Sequence, residues 1–250
     1  MNGRIIIYPY KIASASSREL AKALQRKHDH KIFRVYPNRR YRNRNSDAVV
    51  NWGSTEIPTW NHTSIINRPE AVALAVNKLL TFRTLQEKEV RTVPWTTDIN
   101  VAREWVQICE RHRLTGRGGQ GIRLSTPDTI QDAPLYTMYL SPSDEYRVHV
   151  FKGKVIDYTK KVKRTEDGII QRSDEIKNKA NGWEYIRDVS PRSGVIKRAT
   201  QAVGALGLDF GSVDVLRYKG RSYVLEVGTA PGLSPLGVEA YANAILSLNE

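Results

Sequence analysis

Two acidic residues near the C-terminal end of the chain stand out because each interrupts an apolar segment. Asp214 lies between two valines, and Glu226 follows a Val-Leu pair and precedes another valine. A Lys-Gly pair at 219–220 predicts a hairpin turn, so the two carboxylates should be near cross-strand neighbours on one face. Because a buried carboxylate needs a cation, the pair indicates either an ion pair with Arg or Lys or a Mg²⁺ site shared with nucleotide phosphates.

A glycine-rich loop at 116–121 has the sequence Gly-Arg-Gly-Gly-Gln-Gly and lies between two expected strands. Without Cβ atoms, such a loop can bring backbone N–H groups against phosphate oxygens. No Gly-Lys-Ser/Thr and no helix follow it, which excludes a Walker loop and a dinucleotide fingerprint. Taken alone, the loop fits a phosphate-binding flap and a mobile hairpin tip equally well.

A third group of polar residues occupies one face of an expected strand. Alternation places Glu145, Arg147 and His149 on one side and apolar residues on the other. An acid, a guanidinium and an imidazole in a row suit recognition of an anionic ligand with hydroxyl groups, although an ordinary solvent-facing strand has the same pattern. His149 by itself fits a hydrogen-bonded structural residue better than a general base.

The composition limits the classes of protein to which the 250 residues can belong. Lys and Arg number 39 against 26 Asp and Glu, a net charge of +13, so the partner or substrate should be anionic. The single cysteine, Cys109, excludes an internal disulfide and a Cys-rich zinc site. We find no signal peptide and no apolar run of about 18 residues, and therefore expect a cytoplasmic protein without a membrane span.

The elements that must position these residues alternate along the chain. Strands, a helix with a capping box at 16–19 and turn signals in the first sixty residues predict a small parallel α/β layer. The expected strands are 4–8, 31–36, 47–51, 106–111, 122–124, 135–140, 146–151, 154–158, 212–218 and 221–227. The other expected helices are 69–89 with a break near Thr81, one capped by Ser190-Pro191 that ends near 206, and 235–248.

In this order, the pieces resemble the ATP-grasp superfamily over essentially the whole chain. The most specific match is 213–216 (Val-Asp-Val-Leu) followed by 223–233 (Tyr-Val-Leu-Glu-Val-Gly-Thr-Ala-Pro-Gly-Leu). The chain looks most like the short members common in phage genomes and is similar to D-alanine–D-alanine and ribosomal-protein glutamate ligases. The resemblance implies an α/β ATP-grasp fold with an N-terminal lobe at 1–66, a small lobe with the glycine-rich loop at 67–136 and a C-terminal lobe with a metal site at 137–250.

The resemblance also implies roles for individual residues. Asp214 and Glu226 would hold Mg²⁺, while Arg147 and Lys161 would act on the reacting groups. The residues implied to bind ATP are Lys78, Arg111, Gly116, Gly118, Gly119, Gly121, Glu145 and, through the backbone, Met138 and Tyr139. Two positions depart from the family: Arg111 replaces the usual Lys, and Gly228 replaces an Asn that completes a second Mg²⁺ site.

The activity implied by the resemblance is ATP-dependent, ADP-forming ligation of a carboxylate to an amine or thiol through an acyl-phosphate, with ATP and Mg²⁺ as cofactors. Two basic clusters, 34–44 and 152–164, could add an anionic polymer or a nucleic acid to these partners, although solvated surfaces explain them about as well. Two alternatives stay open. One is a non-catalytic, nucleotide-dependent nucleic-acid-binding protein, and the other is a kinase of the same fold.

Overall fold

The computed structural model describes residues 3–27, 31–37, 39–42, 44–58, 65–116, 119–142, 144–164, 177 and 181–249. Within these ranges the strands form three sheets, two of four strands and one of five. None of the described helices has the length and apolarity needed to cross a bilayer.

The N-terminal sheet is the predicted parallel α/β layer. Its elements are β1 (Ile5–Pro9), α1 (Ala15–Lys27), β2 (Ile32–Arg34), β3 (Ala48–Trp52) and β4 (Ile65–Ile66), in the strand order β2-β1-β3-β4. All pairings are parallel, so the carboxyl ends of the strands meet at one edge. Helix α1 begins before the predicted capping box: the Ser14 hydroxyl accepts from the Ser17 N–H at 3.4 Å, and the cap expected at Ser16 is wrong.

Two helices then lead into the second sheet. They are α2 (Pro69–Val76) and α3 (Lys78–Glu87), and they are separated at Asn77 rather than near Thr81 as expected. The Asn77 side chain accepts from the N–H groups of Leu79 and Leu80, which makes it the cap that starts α3. The sheet that follows is antiparallel in the order β5-β8-β6-β7 and contains β5 (Trp95–Thr96), α4 (Ile99–Ala102), β6 (Ile108–Arg111), β7 (Ile122–Ser125) and β8 (Tyr136–Met138).

The five-stranded antiparallel sheet has the order β11-β10-β9-β12-β13. Its elements are β9 (Asp144–Phe151), β10 (Lys154–Lys163), β11 (Trp183–Ile186), α5 (Ser193–Ala205), β12 (Phe210–Tyr218) and β13 (Arg221–Gly228), followed by α6 (Pro235–Leu246). Both predicted hairpins are confirmed, and the two residues of each turn have positive φ, as the twist of the flanking strands requires. Helix α5 is capped by Arg192 without a side-chain hydrogen bond, so the cap predicted at Ser190-Pro191 is wrong.

One face of this sheet builds a hydrophobic core, and the other face is polar. Val148, Val213 and Val215 are fully buried and pack with Val195 and Ala199 of α5. Burial of one such valine contributes roughly 1.5 kcal/mol or more, so the apolar face fixes the direction in which every second side chain points. The opposite face of β9, β10 and β12 therefore presents its side chains to a cavity.

Candidate functional site

The cavity has a volume of about 1200 Å³ and is lined by residues from all three sheets. Tyr10 and Gly53 come from the carboxyl edge of the parallel layer, Arg111 from the four-stranded antiparallel sheet and Asp214 from the five-stranded sheet. A site assembled from three sheets is large enough for a nucleotide and a second substrate.

The polar face of the five-stranded sheet arranges its side chains in rows across neighbouring strands. Thr159, Arg147, Asp214 and Glu226 form one row, because each lies opposite the next in register. The predicted cross-strand pairing of Asp214 with Glu226 is confirmed. Glu145, Arg147 and His149 all line the cavity, which confirms that they share a face, and that face is not the solvent-facing surface of an ordinary strand.

Asp214 is held by two cations. Its Oδ1 accepts from Arg147 Nε at 2.7 Å, and its Oδ2 accepts from Arg147 Nη2 at 2.9 Å and from Lys161 Nζ at 2.9 Å. Burial alone would raise the pKa of Asp214, but the two cations hold it well below its usual range. Burial alone would lower the pKa of Lys161, but Asp214 and Glu145, with which Lys161 also pairs, raise it. The two carboxylates, Asp214 and Glu145, therefore compensate the charges of Arg147 and Lys161 inside the sheet.

Glu226 is more accessible than Asp214. Its side chain is 42% exposed, and its Oε1 lies 3.8 Å from Lys78 Nζ. The register shifts between Asp214 and Val215, which leaves Leu225 without a partner on β12. Because of this bulge, Glu226 rather than Leu225 lies opposite Asp214, and the β13 residues that line the cavity run consecutively from Leu225 to Gly228.

We asked whether these oxygens fit Mg²⁺. In the chain as described, no three His, Cys, Asp or Glu side chains form a metal-holding group. Gly228 offers no side chain, and a Cβ added there would lie 2.8 Å from Ser212 Oγ. Both oxygens of Asp214 are paired with Arg147 and Lys161, so Glu226 is the more accessible oxygen donor of the two. Such a pair fits an ion that arrives with nucleotide phosphates and keeps phosphate and water ligands, which is how Mg²⁺ commonly binds, better than a cage made of protein alone.

Lys78 and the glycine-rich loop lie together at one end of the cavity. Lys78 is the first residue of α3, and its Nζ donates to the Gly116 carbonyl at 3.4 Å. Burial lowers the Lys78 pKa, while Glu226 opposes that shift. Gly116 and Gly119 have positive φ and line the cavity, whereas Gly118 is outside the described residues. Gly121 is not among the described lining residues; its positive φ turns the chain beside Arg113, where a Cβ would come within 2.8 Å of the side chain.

Arg111 completes the cationic wall. It lies on β6, is 7% exposed, lines the cavity and donates from Nε to Thr137 Oγ1 at 3.4 Å. Its guanidinium lies over the Phe82 ring at 5.8 Å, which leaves a fixed positive charge facing inward. Glu110, the preceding residue, is fully buried and forms an ion pair with Arg123 at 2.7 Å rather than with Arg111.

No protein-family model matches the sequence, and no curated protein matches it. Solved structures do. The ATP-grasp ligase PsnB complexed with minimal precursor matches with a TM-score of 0.70 at 14% identity, over 99% of each chain. D-alanine–D-alanine ligase from Bacillus anthracis matches with a TM-score of 0.67 at 12% identity, over 98% of this chain and 93% of that one. A RimK domain ATP-grasp protein from Sphaerobacter thermophilus matches with a TM-score of 0.66 at 12% identity, over 97% of this chain and 98% of that one.

The chain has the ATP-grasp fold. The fold expected from the order of the sequence motifs is thereby confirmed.

Within this ATP-grasp fold, an apolar group lines the cavity beyond Arg111. Its members are Phe82, Met138, Leu140, Leu216 and Leu225. The sequence resemblance places the backbone around Met138 and Tyr139 on adenine. The N–H groups of these two residues donate to the carbonyls of Pro94 at 2.9 Å and Gln107 at 3.0 Å. The apolar side chains offer a surface on which a planar ring could pack.

Sequence reasoning missed a second polar group in the cavity. Asp157 accepts from Arg187 Nε at 2.9 Å and from Arg187 Nη2 at 2.7 Å, and the same Nη2 lies 2.7 Å from the Ser234 hydroxyl that caps α6. Tyr185 lies beneath Arg147 at 5.2 Å. Alternation along β10 could have linked Asp157 to Lys161, but no sequence signal identifies Arg187.

The two basic clusters differ in the structure. In the 152–164 cluster, Lys152 pairs with Asp209, Lys160 pairs with Asp144 at 2.6 Å, and Lys161 lies inside the site, so these charges are largely compensated. The loop that contains the 34–44 cluster is anchored by Arg4, which forms an ion pair with Asp47 at 2.6 Å and also donates to the Arg42 carbonyl. The exposed arginines of this cluster have no ion pair among the described contacts; they are Arg39, Arg40, Arg42 and Arg44.

Proposed function

We propose that this protein is an ATP-dependent, ADP-forming ligase that joins a carboxylate to an amine through an acyl-phosphate. The observation that carries the proposal is the cationic lining of one cavity, where Lys78, Arg111 and the Arg147–Asp214–Lys161 cluster face one another. Its support from the comparisons lies in the fold and in solved neighbours, since PsnB has been determined with Mg and ADP and the Bacillus anthracis ligase with ATP.

Phosphoryl transfer to a carboxylate requires positive charge around the reacting groups, which this lining provides. A carboxylate is a poor electrophile, so ATP first transfers its γ-phosphoryl group to a carboxylate oxygen and ADP is released. The amine then attacks the acyl carbon, the C–N bond forms and phosphate leaves. Lys78 and Arg111 would hold the ATP phosphates, and Arg147 and Lys161 would hold the transferring group where its charge is concentrated.

Asp214 and Glu226 are the residues that would hold Mg²⁺, which supplies further positive charge for phosphoryl transfer when it is bound. Asp214 has a second task that follows from its contacts, because it fixes the positions of Arg147 and Lys161. We divide the chain into lobes at 1–66, 67–136 and 137–250, which would close over ATP and keep water from the acyl-phosphate.

The exposed arginines of the 34–44 cluster favour a substrate that is attached to an anionic carrier. Arg4 and Asp47 precede β1 and β3 and anchor the loop at the amino edge of the parallel layer, where Arg42 and Arg44 are displayed to solvent, and Arg39 and Arg40 of the same loop are also exposed. Tyr10, which lines the cavity, follows β1 at the opposite, carboxyl edge. An acidic polypeptide or a nucleic acid held by these arginines would therefore have to extend across the layer to bring a reacting group to the site.

The test supplies ATP, Mg²⁺, a mixture of amino acids and acidic peptides, and RNA, and identifies products by mass spectrometry. ADP release that requires both an acid and an amine, with a new amide of the corresponding mass, is expected. A phosphorylated alcohol without an amide would identify a kinase instead. ATP affinity that rises with RNA but yields no ADP would identify a nucleotide-dependent binding protein.

A further inference from the structure

His149 lies in the row of side chains next to that of Arg147, and its ring is held in place by Tyr241 of α6. It lies opposite Asp157 on β10 and Ser212 on β12, lines the cavity and is 4% exposed. Its Nδ1 is 3.2 Å from the Tyr241 hydroxyl, and the two rings meet edge to face with centroids 5.6 Å apart. Tyr241 is fully buried and packs against Trp52, so the imidazole has one well-defined position.

The imidazole is neutral at physiological pH. Burial is the largest cause that lowers the His149 pKa to about 4; Arg147 and Arg187 act in the same direction, and Asp157 and Asp214 oppose the shift. The charged and titratable groups that act on the ring are Asp157, Arg147, Asp214, Arg187 and Tyr241. Asp157 is paired with Arg187 and Asp214 with Arg147, so the two acids oppose the shift without overcoming the effect of burial.

The proton of this neutral ring is on Nε2. Burial raises the pKa of Tyr241, so its hydroxyl keeps its proton and needs an acceptor. Within the described part of the chain, the hydroxyl has one hydrogen-bond partner, Nδ1 of His149. If Tyr241 donates, Nδ1 is the acceptor and Nε2 carries the hydrogen. The reverse arrangement would leave a buried phenol proton without a partner.

We propose that His149 donates a hydrogen bond from Nε2–H to the carbonyl oxygen of the activated carboxylate, a role that rests on the ligase function proposed above. When the amine attacks the acyl carbon, the C–N bond forms and the carbonyl electrons move onto this oxygen. They return as the bond to phosphate breaks, and the departing phosphate takes the proton from the amine. His149 keeps its own proton throughout.

A neutral donor suits this position. Arg147, on the same face of β9, offers a full charge that favours the phosphoryl oxygens. A donor without net charge next to it can stabilise the oxygen on which charge develops without binding a second phosphate. Tyr241 is then a positioning residue, because it sets which nitrogen of His149 carries the hydrogen.

Two measurements test the proposal. Long-range ¹H–¹⁵N correlation spectra of ¹⁵N-histidine protein, with His149 assigned from the H149Q spectrum, report the tautomer without any substrate. We expect a neutral ring protonated on Nε2 at pH 7, and a population protonated on Nδ1 in Y241F. A wild-type ring protonated on Nδ1, which is the form a general base would need, or an imidazolium, would overturn the proposal.

The second measurement traps the activated acid with hydroxylamine in the presence of ATP, Mg²⁺ and a panel of amino acids and poly-L-glutamate. Gln can donate in place of Nε2–H and Leu cannot, so the hydroxamate rate should fall by about 100-fold or more in H149L and by less than about tenfold in H149Q. Equal rates in H149Q and H149L would overturn the donor role alone. No hydroxamate from the wild type would overturn the ligase proposal, and with it the donor role, whatever the tautomer.

Discussion

Replacement of Asp214 by Asn should destabilise the protein far more than replacement of Glu226 by Gln, although both carboxylates are proposed to hold the same ion. The neutral amide would remove the carboxylate that pairs with Arg147 and would leave Lys161 with Glu145 alone, and Lys161 is only 5% exposed. Removal of one partner of a buried ion pair costs about 3–5 kcal/mol. Glu226 has a half-exposed side chain and a partner at 3.8 Å, so its loss should change the stability by about 0.5 kcal/mol or less.

Thermal unfolding at pH 7 separates these two expectations. In a chain of this size, 1 kcal/mol corresponds to roughly 2–4 °C in Tm, so D214N should lower Tm by about 6–20 °C and E226Q by no more than about 2 °C. Both variants should lose Mg²⁺-dependent turnover, measured well below the Tm of D214N. A Tm of D214N within about 2 °C of the wild type, or an equal loss in E226Q, would refute the assignment of Asp214 as the anion that holds the cluster together.

The pH dependence provides an independent check. The pKa of Asp214 is lowered in the folded protein, so its stabilising contribution is present above the unfolded pKa of about 4 and is lost as the pH falls toward the folded pKa. The difference in Tm between wild type and D214N should therefore be constant from about pH 5 to 8 and should shrink below about pH 4. A difference that grows on acidification would contradict the direction of the shift.

Lys78→Met should weaken binding of the ATP analogue AMPPNP by about 10- to 100-fold without changing Tm, since a charge-assisted hydrogen bond contributes about 1.5–3 kcal/mol; unchanged affinity in calorimetry would count against Lys78 as a phosphate ligand. Gly228→Asn should lower Tm because its Cβ would lie 2.8 Å from Ser212 Oγ, and S212A/G228N should recover Tm and show tighter Mg²⁺-dependent nucleotide binding; no recovery would place the strain elsewhere. Replacement of Arg39, Arg40, Arg42 and Arg44 by Gln should reduce the slope of log K against log salt for single-stranded DNA by about 3, at ~0.7 per contact. The matched control changes four other exposed cations, Arg83, Lys88, Arg103 and Lys197, to Gln. An equal reduction in this control would assign binding to net charge alone.

Local signals in the sequence were sufficient for much of the sheet that carries the site. The turn at 219–220 depends only on its own two residues, which adopt positive φ, and it brings the strand segments that carry Asp214 and Glu226 side by side. Alternation then places Arg147 and His149 on the cavity side, because Val148 and Val150, which alternate with them, must be buried. These predictions are confirmed because each depends on a period of two or on a few adjacent residues.

Other features depend on partners that are distant in sequence. The identity of the cations on Asp214 comes from β9 and β10, 67 and 53 residues away, and the pattern of the sequence, which favoured Mg²⁺ over an ion pair, did not identify Arg147 and Lys161 as its partners. Asp157 meets Arg187 and Ser234 only after three separate segments have come together. The bulge at Leu225 shifts by one residue the register that the turn sets, and so the position of Glu226 directly opposite Asp214 depends on a feature that the turn residues do not specify.

Gly228 shows why departures from a family pattern need their spatial neighbours. Taken alone, a glycine in place of Asn is a lost ligand. In the structure Ser212 lies opposite Gly228 in register, and its hydroxyl oxygen occupies the space that a side chain at 228 would enter. Ser212 also lies opposite His149, so the same residue borders the proposed donor and the missing side chain. A change at 228 is therefore a change in what surrounds His149, and the two positions should be varied together before Gly228 is interpreted as a loss of function.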